Sequence, residues 1–263
     1  LSLKGMAEQS ADLEEFMTRW LPHYCEQASR LIEARAAFLH EKSGFFASFL
    51  VEEGLIEEER FVPMFGIHGM AEAVNLLMDK AGLAGRYGHD EGANQLGHRI
   101  SARLSAWVTT RPQPHAWGGR ALLHSQGGLS LDKGVTPGVR IPYGEEPDPA
   151  SHVLALAPHH GFYHSGISEI LTLDPTIRQN PQALLQLCKG AFALGMREFS
   201  ANVADSDLVR VTGYMIRKSD VARFAAEGSR LQTTCLGAEA SELTGIRRRA
   251  PRVLGLEASL CDY

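Results

Sequence analysis

Residues 207–217 read Asp207-Leu208-Val209-Arg210-Val211-Thr212-Gly213-Tyr214-Met215-Ile216-Arg217. Leu208, Val209 and Val211 make a short apolar strand that runs into an isolated glycine, with Arg210 and Val211 before it and Tyr214 after it. Taken alone, this is a strand closing in a glycine turn, which any α/β protein contains. Its meaning depends on the elements around it.

Upstream, Met196 to Val203 is strand-like, and Asn180-Pro181 starts a helix in the expected order of cap then proline, ended by Gly195. The apolar run Val153-Leu154-Ala155-Leu156-Ala157 reads as a buried strand. Glycine and proline punctuate residues 111–150, with a strand-like piece from Val139 to Tyr143. A stretch this long and irregular is usually functional. Apolar spacing of three and four predicts helices over 90–109 and 69–81, the latter with Gly82 as C-terminal cap. Phe61 to Ile67 reads as a buried strand, after a glutamate-rich loop from Glu52 to Glu59. Residues 11–41 carry a helical stripe through Leu13, Phe16, Leu21, Leu31 and Phe38, with a kink or break expected at Pro22. Helices alternate with strands, so the class is α/β.

A chain of 263 residues can bury a sizeable core. The apolar share of 44% and charged share of 22% are those of an ordinary globular protein, and the net charge of -5 carries no nucleic-acid footprint. No apolar run reaches the ~20 residues of a membrane helix. Cys25, Cys188, Cys235 and Cys261 are too far apart in sequence for a Cys-x-x-Cys pair, which points to free thiols in a reducing cytoplasm and to no metal site.

Arg210-Val211-Thr212-Gly213-Tyr214 resembles the Arg-Val-x-Gly-Tyr signature of the glycyl radical enzymes. Val209 to Leu236 is similar to the C-terminal region of the YjjI-type members. So are Phe61 to Gly66 and Gly69-Met70-Ala71-Glu72-Ala73-Val74-Asn75. The resemblance implies that residues 1–263 are the C-terminal part of such an enzyme, with 196–236 as its glycyl radical region. It implies a ten-stranded α/β barrel with the radical loop inserted into it. Gly213 would store the radical, and Arg210, Val211, Thr212 and Tyr214 would form its loop. No stably bound cofactor is implied. The modification of Gly213 would be installed by a separate radical S-adenosylmethionine activase. A thiyl radical would then act on a small-molecule substrate under anaerobic conditions, and the full-length protein would be a cytoplasmic homodimer without nucleic-acid or membrane partners. The residue type fits this chemistry. A backbone radical needs a planar α-carbon, so that the amide nitrogen can donate and the carbonyl withdraw electron density, and a side chain would clash on flattening.

In the family the thiyl cysteine lies upstream of the radical glycine, on a hairpin inside the barrel. The opening Leu1-Ser2-Leu3-Lys4-Gly5 resembles the segment just after that hairpin, so the cysteine is expected before Leu1. Cys25 and Cys188, on predicted helices, read as structural thiols. A chain opening at Leu1 reads as trimmed or as a piece of a longer protein. A spare-part subunit complementing a partner is one alternative. Another is a relative of anaerobic ribonucleotide reductase without that family's four-cysteine zinc site.

Tyr163-His164-Ser165 follows the predicted 153–157 strand and is a candidate substrate contact, with a polar surface turn as the competing reading. His159 and His160 read as structural or substrate-contacting, since neighbours on an extended chain point apart. His68 and Glu72 are weaker candidates, and a carboxylate near a helix N-terminus has a structural reason to be there.

Overall fold

A computed structural model describes residues 1–125, 135–164, 166–211 and 214–227. They fall in two compact units, Leu1–Asp205 and a second beginning at Ser206.

The first unit opens with α1 (Leu3–Gln9), whose N-cap Ser2 accepts from the Gly5 amide. Asp12 caps α2 (Leu13–Glu15) by accepting from the Glu15 amide, while Glu15 reaches back to the amide of Ala11. The chain then makes one π-helical turn, Phe16–Trp20, before α3 (Leu21–Glu41). The predicted break at Pro22 takes an unexpected form. Pro22 sits in the first turn of α3, where a missing N–H is harmless, and the irregularity lies upstream in the π turn.

After the short α4 (Phe49–Glu52) come β1 (Met64–Ile67), α5 (Met70–Lys80), α6 (Glu91–Thr110) and β2 (Leu122–Ser125). Next follow α7 (Pro149–Leu156), β3 (Ile170–Leu173), α8 (Pro181–Ala193) and β4 (Ser200–Val203). β1 pairs parallel with β2 (Met64 opposite Leu122) and β3 parallel with β4 (Ile170 opposite Ser200). Parallel neighbours need a crossover, and α5–α6 and α8 supply them.

Two expected strands are absent. Residues 153–156 of that run belong to α7 and Ala157 to the 3₁₀ turn after it, because Asp148 accepts from the amides of Ala150 and Ser151 and Pro149 stands in the first turn. An apolar run has no period that separates a buried helix from a buried strand. Val139 to Tyr143 makes no strand: Pro137 forms an isolated antiparallel bridge to His68, and the chain turns there. The strands partnering β1 and β4 are instead β2 and β3.

The core divides into two apolar clusters. Leu3, Phe16, Leu21, Phe65, Ile67, Leu77, Ile100, Leu104 and Leu123 are among the residues of the larger, and Val153, Leu171, Leu173, Ala191 and Met196 among those of the smaller. Each such large side chain contributes roughly 1.5–3 kcal/mol by leaving water. The N-cap of α5 is Gly69 at φ +80, where a Cβ would meet the Lys4 backbone nitrogen at 3.1 Å, so backbone conformation and close approach both require glycine.

Gly97 is required for another reason. It lies inside α6, where glycine costs about 1 kcal/mol relative to alanine. A Cβ there would stand 2.5 Å from Cε2 of Tyr87, whose ring is held in the core by its hydroxyl. Overpacking typically costs roughly 1–3 kcal/mol, and a contact this short belongs at the upper end. Gly97→Ala is therefore expected to lower stability by about 1–2 kcal/mol in urea denaturation despite the gain in helix propensity.

The second unit contains β5 (Leu208–Val211) and β6 (Tyr214–Arg217), antiparallel with Val211 opposite Tyr214, followed by α9 (Lys218–Glu227). Asp207 anchors the start of α9. Its carboxylate accepts from the amide and hydroxyl of Ser219, and these bonds hold it below the ordinary aspartate range.

Candidate functional site

The motif of residues 210–214 lies on the β5–β6 hairpin. Arg210 and Val211 end β5 and Tyr214 begins β6. Thr212 and Gly213, between the paired residues Val211 and Tyr214, lie outside the described residues, as does Ser165. β5 and β6 pair over four residues, from Leu208 opposite Arg217 to Val211 opposite Tyr214.

In the first unit, Tyr163 and His164 occupy the segment between α7 and β3. Tyr163 is fully buried, and its hydroxyl lies 2.9 Å from Ser101 Oγ of α6. Burial raises the pKa of this hydroxyl above the ordinary tyrosine value, although the bond to Ser101 opposes the shift. His164 is exposed. The carbonyls of Tyr163 and His164 each accept from Arg197 Nη1 at 3.1 Å, and the Gly166 amide donates to the Tyr163 carbonyl at 3.0 Å. The segment is thus held through one side chain and two carbonyls.

His159 and His160 lie on a 3₁₀ turn, Ala157–Gly161, rather than on an extended chain, and both are buried. Their partners nevertheless diverge. His159 Nδ1 is 2.9 Å from Ser101 Oγ, and its Nε2 is 3.3 Å from the Tyr87 hydroxyl. His160 Nδ1 accepts from the Arg197 amide at 3.1 Å. Burial pushes His159 down to about 3, helped by His98 and His160, and pushes His160 down to about 4, helped by Arg197 and opposed by Glu169. Both are neutral at neutral pH.

A second buried polar group surrounds Glu169. Arg140 Nε and His152 Nε2 each lie 3.6 Å from Glu169 Oε1, which also accepts from the Ile170 amide. Glu72 accepts from the Thr136 hydroxyl at 2.5 Å in the first turn of α5, the structural role its position suggests. Between the start of α6 and α7 lies a cleft of about 580 Å³ lined by His89, Glu91, Asn94, Gln95, His98 and Leu154, among others.

Cys25 is enclosed in the larger apolar cluster, where burial pushes its thiol up to about 12, and Cys188 is half-buried on α8. Among the described residues, no group of three or more His, Cys, Asp or Glu is placed to hold a metal ion. None of the helices there is long and apolar enough to cross a membrane.

The sequence reading missed Ser101, Arg197, Arg140 and Glu169. Residues 101 and 163 are 62 apart and residues 87 and 159 are 72 apart, so no local pattern signals that they meet.

The family model described as "Glycyl radical enzyme YjjI-like" matches residues 1–252. The uncharacterized protein YjjI of Escherichia coli (strain K12) is 58% identical over 261 residues, 99% of this chain and 51% of that protein. An uncharacterized protein of Haemophilus influenzae (strain ATCC 51907 / DSM 11121 / KW20 / Rd) is 32% identical over 259 residues, 96% of this chain and 50% of that one. The chain therefore spans about half the length of the curated relatives it matches. Among solved structures, an anaerobic ribonucleotide reductase superposes with a TM-score of 0.66 at 14% identity, over 88% of this chain and 42% of that one. The anaerobic ribonucleotide reductase from Thermotoga maritima in complex with dATP and CTP gives 0.63 at 14% identity, over 86% and 43%. At that identity the likeness is one of fold. The fold is α/β, and the chain forms part of the ten-stranded barrel of the glycyl radical enzyme type.

Proposed function

The chain belongs to the YjjI-like glycyl radical enzyme family, and from that premise we propose that it is the radical-bearing part of an enzyme that stores an unpaired electron on Gly213. The observation that carries this reading is the Arg210-Val211-Thr212-Gly213-Tyr214 motif on a two-stranded hairpin, within a chain that the family model matches almost throughout. A separate radical S-adenosylmethionine activase removes one hydrogen atom from the Gly213 α-carbon. The glycyl radical then takes a hydrogen atom from a cysteine thiol, which restores glycine and leaves a thiyl radical. The thiyl radical removes a hydrogen atom from a small-molecule substrate.

Cys25 is a poor thiyl candidate because apolar side chains enclose it. Of the candidate contacts Tyr163, His164 and Ser165, His164 meets the substrate, a role its exposed side chain supports, and the buried Tyr163 anchors it. The working protein is a cytoplasmic homodimer that requires anaerobic conditions. A second reading is a spare-part subunit that supplies the radical motif to a partner carrying the thiyl cysteine. A start codon immediately upstream of Leu1 would favour that reading, and an in-frame cysteine-bearing half would oppose it.

Dioxygen tests the assignment. It adds to a carbon-centred backbone radical and breaks the chain there. Air exposure of the anaerobically activated protein should give two fragments whose junction maps to Gly213 by mass spectrometry. An intact chain after air exposure of a preparation carrying the radical would contradict the assignment.

A further inference from the structure

We propose that Tyr163, Ser101, His159 and Tyr87 form a hydrogen-bond chain with a single direction, and that Ser101 and His159 are positioning residues for the Tyr163–Gly166 turn. The relevance of that turn to catalysis rests on the substrate-contact reading above, whereas the direction of the chain does not.

The direction follows from the far end. The Val139 carbonyl can only accept, and it lies 2.8 Å from the Tyr87 hydroxyl, so the Tyr87 proton is committed to it. The Tyr87 oxygen is then the acceptor for His159 Nε2 at 3.3 Å, and that nitrogen carries the proton. A neutral imidazole has one N–H, which leaves Nδ1 bare. Ser101 Oγ, at 2.9 Å, donates to it, and the Ser101 oxygen accepts from the Tyr163 hydroxyl, also at 2.9 Å. All four side chains are at most 2% exposed, so water does not compete for these bonds. The burial that holds His159 neutral removes the one protonation state that would disorder the chain.

The chain fixes Tyr163 from α6 and from the 3₁₀ turn, while Arg197 holds the carbonyls of Tyr163 and His164. The exposed His164 is thereby presented from a frame fixed by residues far away in sequence. Loss of Ser101 would leave the buried Tyr163 hydroxyl and His159 Nδ1 without partners, and it would loosen this turn before the rest of the unit.

Nitrogen-15 NMR of the imidazoles tests the direction. From about pH 7.5 to about pH 5, His159 should show a protonated Nε2 and a bare Nδ1. A protonated Nδ1 or a titration near the ordinary histidine value would overturn the proposal. Hydrogen exchange tests the positioning. In Ser101→Ala and Tyr163→Phe, the amides of Phe162 and Gly166 should exchange roughly tenfold faster, with those of α8 and β4 unchanged. Ser101→Thr should restore the wild-type rates. Uniform acceleration across the unit, or none at the turn, would overturn the positioning role. Neither measurement requires a radical on Gly213, so failure of the chain and failure of the radical assignment are separately visible.

Discussion

Gly213→Ala is expected to abolish the radical completely while leaving the chain folded. Alanine still offers an α-hydrogen, so the loss would not arise from the lack of an atom to abstract. It would arise because a methyl group opposes flattening of the α-carbon, on which the stabilisation by the flanking amide and carbonyl depends. The fold should survive because a single substitution typically costs about 1 kcal/mol, against a typical total of roughly 5–15. Far-ultraviolet circular dichroism and anaerobic activation of the same preparation check both halves. A variant that folds and still yields a backbone radical would move the assignment away from Gly213.

The second large effect is a loss of stability in mild acid. His159 and His160 are buried neutral, with folded pKa values pushed down to about 3 and about 4, whereas in the unfolded chain they return to the ordinary value of 6.5. Between those limits the unfolded chain binds more protons than the folded one, so stability falls as pH falls. The contribution is fully present above about pH 6.5 and is lost progressively towards about pH 3. At about 1.36 kcal/mol per unit, His159 alone carries on the order of 5 kcal/mol. Burial sets both values, with His98 and His160 adding to it at His159, whose ring nitrogens face Ser101 and Tyr87, and with Arg197 adding and Glu169 opposing at His160. Urea midpoints should hold from about pH 7.5 to about pH 6.5 and decline from there to about pH 4.5, and His159→Gln should flatten the decline. An equally steep decline in His159→Gln would place the acid sensitivity elsewhere.

Elements with their own punctuation were legible in the sequence. α8 announces itself through Asn180 and Pro181, and the Asn180 side chain does accept from the Ala183 amide. α5 and α6 follow their apolar spacing to within a residue or two of the predicted ends. The 153–157 run was misread because Asp148-Pro149, its start signal, sits at the end of a glycine- and proline-rich stretch that reads as loop. β2 and β3 escaped notice because four residues are too few for alternation to register. The radical motif is a different case. The residues alone supply only a strand and a glycine, and it is resemblance to a family that gives Gly213 a role. The Tyr163 turn shows the reverse. Its position was legible, but the side chains that hold it come from α6, from a 3₁₀ turn and from the segment before β4. No sequence spacing relates them, because the fold alone brings them together.

The most direct test of the central claim is electron paramagnetic resonance of the anaerobically activated protein, made with and without glycine carrying ¹³C at its α-carbon and no other label. The account predicts a glycyl doublet in unlabelled protein and additional hyperfine splitting in the labelled sample, because the unpaired electron resides on a glycine α-carbon. A doublet indifferent to the label, or no radical after activation with a competent activase, would contradict it.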